Sequence, residues 1–243
     1  MVSFVHGKNT KVLFANPTVN ACYDLSPYFN DVSLTNDVEA TEVTTFNQAG
    51  VKSYIPGLRD GSITLAGFYD GTANGVDAIL TSSLSNTLDE AIVVFPQGGN
   101  AQNERCYMAQ GIQTKYDLKS PVSGVVAVDA EVQADYGVWS GRGQLFTTSG
   151  NGSTTSLDGF GSTTRGGLVV IGVLSLTGTL SVTLQHSQDG STWVNATSAL
   201  TTVGTEIVNT AALPTTLYRY TRLNWTLSGA NASANIYFGF ARF

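Results

Sequence analysis

The sequence predicts a mainly β protein, and three observations carry that expectation. Only 12% of the 243 residues are charged, while Gly, Thr, Ser and Val abound, a profile suited to strands and tight turns rather than amphipathic helices. Apolar and polar residues alternate with a period of two in several stretches, most cleanly over residues 124–136. Convincing helical spacing of apolar residues occurs once, after Asn74.

Taken in order, residues 11–14 and 32–34 predict short strands, the second following a Ser26-Pro27 turn. Residues 35–54 are polar and lack a helical period, which predicts a long loop with no aromatic residue before Phe46. Such a loop inside a compact domain is unusual unless it meets a partner, and a merely solvated loop is the alternative. Pro56-Gly57 and Asp60-Gly61 predict turns. Over residues 62–69, Ile63, Leu65, Gly67 and Tyr69 alternate with Ser62, Thr64, Ala66 and Phe68, as in a half-buried strand. Asn74 then suits a helix N-cap, and Val76, Ile79, Leu80 and Leu84 give a helix of about three turns. Residues 91–95 and 106–114 predict further strands, the first ended by Pro96-Gln97-Gly98-Gly99.

In the stretch 124–136, Val126, Val128, Ala130, Val132 and Ala134 face one way, and Asp129, Glu131 and Asp135 the other. At about 3.3 Å per residue these carboxylates lie within roughly 20 Å of one another along one line. Residues 149–163 are rich in Gly, Ser and Thr and predict a linker between a first domain, 1–148, and a second, 164–243. The second reads as a small immunoglobulin-like β-sandwich. Its strands are expected at 168–176, 180–186, 193–194, 217–227 and 234–240, with turns at Thr177-Gly178, Asp189-Gly190 and Ser228-Gly229.

Charge and composition exclude several functions. Up to Gly150 there are 8 Lys and Arg against 15 Asp and Glu, and beyond it 4 against 3, so the acidity belongs to the first domain. Sparse, scattered basic residues disfavour nucleic-acid binding. Cys22 and Cys106 lack CxxC spacing and read as thiols in a reducing cytosol, and with His6 and His186 as the only histidines no metal site is expected. No Walker frame surrounds Gly7-Lys8-Asn9-Thr10, GxSxG is absent, and neither histidine suggests a base, so no enzyme and no cofactor is expected. No window has the length and apolarity of a signal peptide or a membrane span.

The stretch 50–71, GVKSYIPGLRDGSITLAGFYDG, with its flank 24–48, DLSPYFNDVSLTNDVEATEVTTFNQ, resembles the tail tube (major tail) proteins of long-tailed bacteriophages. Those chains read strand, long Thr-rich acidic loop, PG turn, strand and FYDG-like exit, and the resemblance covers about the first 148 residues. LQHSQDGSTW, YRYTRLNW and the terminal FGFARF are similar to accessory β-sandwich modules of virion proteins. The resemblance implies a tail-tube-type β-sandwich or barrel with one packed helix, closing with copies of itself into hexameric rings that stack into a tube. It further implies assembly in the host cytoplasm, a place in the virion tail, and tape measure, tail terminator and tail-tip proteins as partners.

Within that picture Asp37, Glu39, Glu42, Phe46 and Tyr54 belong to the loop that reaches a neighbouring subunit or ring. Asp129, Glu131 and Asp135 face the lumen, where carboxylates keep passing DNA from sticking; an ordinary solvated face is the alternative. Trp193 is the candidate surface aromatic of the second domain, alongside Tyr218, Tyr220, Trp225 and Tyr237, each of which also suits a core position. The rival function is a virion-anchored adhesion module whose C-terminal sandwich binds host-surface glycans.

Overall fold

The computed structural model describes residues 7–45, 50–84, 86, 88–135, 137–203, 208–212 and 216–243. The fold is mainly β, its strands paired antiparallel, with one α-helix among the described residues. The chain divides into two compact units: Met1–Pro27 with Leu88–Met108 and Trp139–Phe243, and Tyr28–Thr87 with Ala109–Val138. This division does not fall at residues 149–163.

The first unit holds β1 (Lys11–Asn16), β2 (Ala21–Asp24), β5 (Glu90–Phe95), the start of β6 (Glu104–Lys119), β8 (Trp139–Thr148) and the strands after it. Its sheet runs β2-β1-β5-β6-β8, then β15 (Tyr220–Arg242) and β11 (Gly167–Ser187), with β11 packed beside β2. Leu13, Val93, Phe95, Met108, Leu168, Val170 and Tyr237 share one buried cluster, so the sheet curls around a core supplied by strands from both ends of the chain. β5 is buried at every residue, which is why its residues after Glu90 read as a continuous apolar run.

β11 and β15 form a ribbon paired from Gly167↔Arg242 to Ser187↔Tyr220. The Thr177-Gly178 and Ser228-Gly229 pairs, expected as turns between separate strands, are instead a corner within two continuous ones. Gly178 (φ +98°) and Gly229 (φ +128°) face each other there, and a Cβ on Gly178 would lie 2.4 Å from the Ser228 carbonyl oxygen. Side chains from both halves of the ribbon, among them Val169, Ile171, Leu180, Val182, Leu223, Trp225, Ile236 and Phe238, pack in one core. The ribbon therefore folds over itself as a sandwich whose long strands serve both layers through a bent corner. β12 (Val194–Asn195), β13 (Leu200–Val203) and β14 (Val208–Ala212) line the free edge of β11.

The stretch 149–163, expected as a linker, contains two short strands. β9 (Gly152–Ser153) and β10 (Leu157–Asp158) pair with β15, and the Trp225 indole donates to the Gly150 carbonyl at 2.8 Å. The hydroxyl of Thr154 and the amide oxygen of Asn151 accept from the backbone of Leu223 and Leu227. Small residues are required because the stretch lies against a ring: a Cβ on Gly152 would come within 2.7 Å of Trp225.

The second unit is the sheet β3 (Phe29–Glu42), β4 (Tyr54–Phe68), β7 (Ala127–Ala134) and the remainder of β6. β7 alternates half-buried and buried residues as its sequence predicts, with Val132 beside Ile63 and Ala130 beside Leu65. The helix α1 (Val76–Ser83) buries Val76, Ile79, Leu80 and Ser83. Tyr116 on β6 donates to Asp77 at 2.6 Å, and Ser83 bonds the Gln113 amide. The helix has 8 residues rather than three turns, and its N-cap is Gly75 instead of Asn74. A Cβ at Gly75 would meet the Asp70 carbonyl oxygen at 2.3 Å, so close backbone approach selects the cap. Leu84 falls past the end and is 40% exposed.

Residues 35–54 are not a loop throughout. β3 continues to Glu42 and pairs with 54–62 of β4, so Pro56-Gly57 and Asp60-Gly61 lie inside a strand rather than at turns. In thermal melts we expect Gly178→Val to lose at least about 2 kcal/mol, from left-handed backbone and collision at the corner. Gly150→Ala, which meets nothing within 4 Å, should stay within about 0.5 kcal/mol of the parent.

Candidate functional site

Beyond the reach of β7, whose pairing with β4 begins at Ser62, β3 and β4 continue alone as a two-stranded arm. Its register runs Asn36↔Gly61, Asp37↔Asp60 and Val38↔Arg59, then shifts before Ala40↔Pro56, Thr41↔Ile55 and Glu42↔Tyr54. The shift is a bulge on β4, where Gly57 packs on Glu39. Pro56 is tolerated because this part of β4 has β3 as its only ladder partner among the described residues.

At the outer end Lys52 pairs with Glu42 at 2.8 Å and Thr44 donates to the same carboxylate, holding Glu42 below the usual carboxylate range. Both faces of the arm meet solvent, and it displays apolar side chains: Val38 is 48%, Tyr54 55%, Ile55 52% and Leu58 80% exposed. Asp37, Glu39, Glu42 and Tyr54 are thus brought together on one ribbon. Phe46 lies outside the described residues. Val38, Ile55 and Leu58 were missed by reading for periodicity, because an arm buried on neither face has no period to show.

The second unit also carries an acidic face, half-buried at Asp129 and Glu131 and exposed at Asp31, Asp37, Asp60 and Asp117. Asp129 and Glu131 sit opposite Ala66 and Thr64 on β4, and opposite Asp117 and Lys115 on β6. Through β4 the register adds Asp31, Ser33, Thr35 and Asp37 of β3 and Asp60 of β4 to the same side. Lys119 pairs with Asp129, and Lys115 with Asp117 at 3.1 Å, so the bases offset only part of the charge. Asp135 is exposed just past the end of β7, with its amide bonded to the Gln110 carbonyl.

Trp193 is half-buried, and the Arg222 guanidinium covers its ring at 4.1 Å from the centroid. Arg222 is itself held by Gln185 at 2.9 Å. Trp225 and Tyr237 are core residues. Cys22 and Cys106 are not joined in a disulfide; Cys106 is buried, which pushes its thiol up to about 12. His186 is buried, stacks on Tyr218 at 4.4 Å and accepts the Tyr218 amide at Nδ1. Among the described residues no three His, Cys, Asp or Glu side chains gather as metal ligands do, and no helix is long and apolar enough to cross a membrane. What the arrangement can do chemically is bury apolar surface, pair sheet edges and repel anions.

No protein-family model matches the chain, and no curated protein matches it. Among solved structures it is similar to the tail of an empty gene transfer agent particle of C6 symmetry, at 13% identity and a TM-score of 0.45, over 55% of this chain and 96% of that one. It is similar to the SPP1 tail tube at 14% identity and a TM-score of 0.44, over 56% of this chain and 78% of that one. Similarity to the SPP1 Dit protein, a paradigm of hub adsorption apparatus in Gram-positive infecting phages, extends over 96% of this chain and 99% of that one, at 12% identity and a TM-score of 0.38. None of the three reaches a TM-score of 0.5.

Burial, and then the charge of Arg242, lower the pKa of His186 below its ordinary 6.5. The unfolded chain therefore takes up this proton first, and stability falls as pH drops below about 6.5 towards the folded-state value. We expect its imidazole resonances to titrate below 6.5, and the urea midpoint to fall between pH 7 and 5 by less in His186→Gln than in the parent.

Proposed function

We propose that the chain is a structural subunit of a phage tail that closes into rings with copies of itself and stacks into a tube for DNA. The observation that carries this reading is the β3–β4 arm. It projects Val38, Tyr54, Ile55 and Leu58 into solvent and leaves β3, 14 residues long, with β4 as its only ladder partner among the described strands.

An open edge of that length is a liability for a solitary protein and a joint for one that repeats, because a neighbouring edge satisfies its backbone groups. Covering the four apolar side chains contributes on the order of 5 kcal/mol before the costs of association. The face of Asp31, Asp129 and Glu131 then lines the lumen. Phosphate binding gains its free energy when Lys and Arg displace counterions, so a carboxylate wall gives DNA no foothold. Six subunits per ring, and the tape measure, terminator and tip proteins as partners, are part of the same proposal and come from the sequence resemblance.

Negative-stain microscopy of the concentrated protein tests it: stacked rings or hollow tubes are expected. Discrete particles in every condition, tail-initiator extract included, would overturn it. Ile55→Asp with Leu58→Asp should abolish assembly while the melting temperature of the subunit stays within a few degrees. Tubes carrying Asp31→Lys and Glu131→Lys should retain short duplex DNA at low salt and release it as salt rises, whereas parent tubes should not retain it.

A further inference from the structure

The first unit contains a groove of about 230 Å³ in which Arg105, Arg142 and Arg242 converge around Ser140 and Gly159. In a protein of net charge −6 this gathering is unexpected. Arg105 and Arg142 stand directly opposite each other on β6 and β8, where two like charges are unfavourable. Among the described residues neither has a carboxylate within salt-bridge distance.

The guanidinium groups are oriented. Arg105 donates to the Ser140 hydroxyl and Arg142 to the Asn103 carbonyl, and Arg242 donates to the carbonyls of Gly161, Tyr218 and Arg219. Gly159 keeps Arg242 in place, since a Cβ there would lie 2.4 Å from its Cζ. Next in the chain, Phe160 is 92% exposed with φ +59°, a backbone state few aromatic residues adopt. Its amide is fixed at 2.8 Å by Asp158, which a bidentate pair with Arg219 anchors in turn. A displayed aromatic thus adjoins a groove that holds Arg242, fixed by backbone carbonyls, and two further arginines without a carboxylate partner among the described residues.

The arm has the complementary pattern. Asp37 and Glu39 are exposed carboxylates with no cation partner among the described residues, and Asp37 is opposed by Asp60, another like-charge pair. Two residues apart on one strand, they are spaced about 7 Å, somewhat wider than the roughly 5 Å between opposed cross-strand Cβ atoms and within what two long arginine side chains can span. Val38, Ile55 and Leu58 flank them. We propose that the Arg105–Arg142–Arg242 groove and Phe160 receive the β3–β4 arm of a second copy of this chain, with Asp37 and Glu39 on the arginines and the arm's apolar residues against Phe160. The inference rests on the reading of the chain as a self-assembling subunit.

A charge swap in the full chain tests it, read by sedimentation velocity and microscopy. Arg105→Glu with Arg142→Glu, and separately Asp37→Arg with Glu39→Arg, should each fail to assemble, while an equal mixture of the two variants should recover. Phe160→Ser, which alters no charge, should weaken association by about tenfold. Circular dichroism and thermal melts confirm that each variant is folded. If the first variant forms tubes as the parent does, or folded variants stay apart on mixing, the groove assignment falls and the tube reading stands. Should the parent associate into particles other than tubes and the mixture recover them, the assignment stands and the tube reading falls. A parent that remains monomeric at every concentration overturns both.

Discussion

The structure depends on one long antiparallel pairing, that of β11 with β15. Neither strand could run 21 or 23 residues in one plane and still bury both of its ends, so the ribbon turns at Gly178 and Gly229 and closes on its own apolar face. Once that corner is made, other features follow locally. The other edge of β15 becomes available to β8, β9 and β10, the Thr- and Ser-rich stretch 149–163 finds backbone to bond, and Leu168, Val170 and Tyr237 point into the curled sheet of the same unit. Two glycines thus matter through how near two chains can come, since a methyl group at Gly178 would collide with a carbonyl.

The second unit presents the opposite physical situation. A strand that buries one face writes its position into the sequence, and β7 does so residue by residue. The arm buries neither face and writes nothing, which is why its Pro, Gly and acidic residues read as loop and turns. The fold class, β5 and the helix's existence were legible because burial imposes periodicity or a continuous apolar run. The corner in the ribbon was read as two turns because Thr-Gly and Ser-Gly have the same composition whether the chain reverses or merely bends. The composition of 149–163 suits a mobile linker and equally a strip that must lie flat against Trp225.

The acidic face was half legible. Asp129 and Glu131 follow from alternation along one strand, but Asp31, Asp60 and Asp117 join them only through cross-strand register. The arginine groove was wholly illegible, because Arg105, Arg142 and Arg242 are far apart in sequence and acquire meaning when β6, β8 and β15 lie side by side. Surface charge in this protein is therefore organised by pairing geometry, with like charges opposed on three strand pairs among the described residues: Arg105 and Arg142, Asp37 and Asp60, and Asp117 and Asp129. The β6–β7 pair is offset within the chain by Lys115 and Lys119, and Gln133 donates to Asp60, whereas Arg105 and Arg142 have no carboxylate within salt-bridge distance among the described residues.

The core of the first unit joins Leu13 and Ala15 to Leu168, Tyr237 and Ala241. A ribosome makes the chain from its N-terminal side, so that core cannot close until Ala241 has emerged, whereas every residue of the second unit is available once Val138 has been made. The sticky arm is consequently synthesised long before the groove-bearing unit can fold. Under the proposed assembly, such an order of birth favours released subunits meeting one another over a nascent chain capturing its neighbour on the same message.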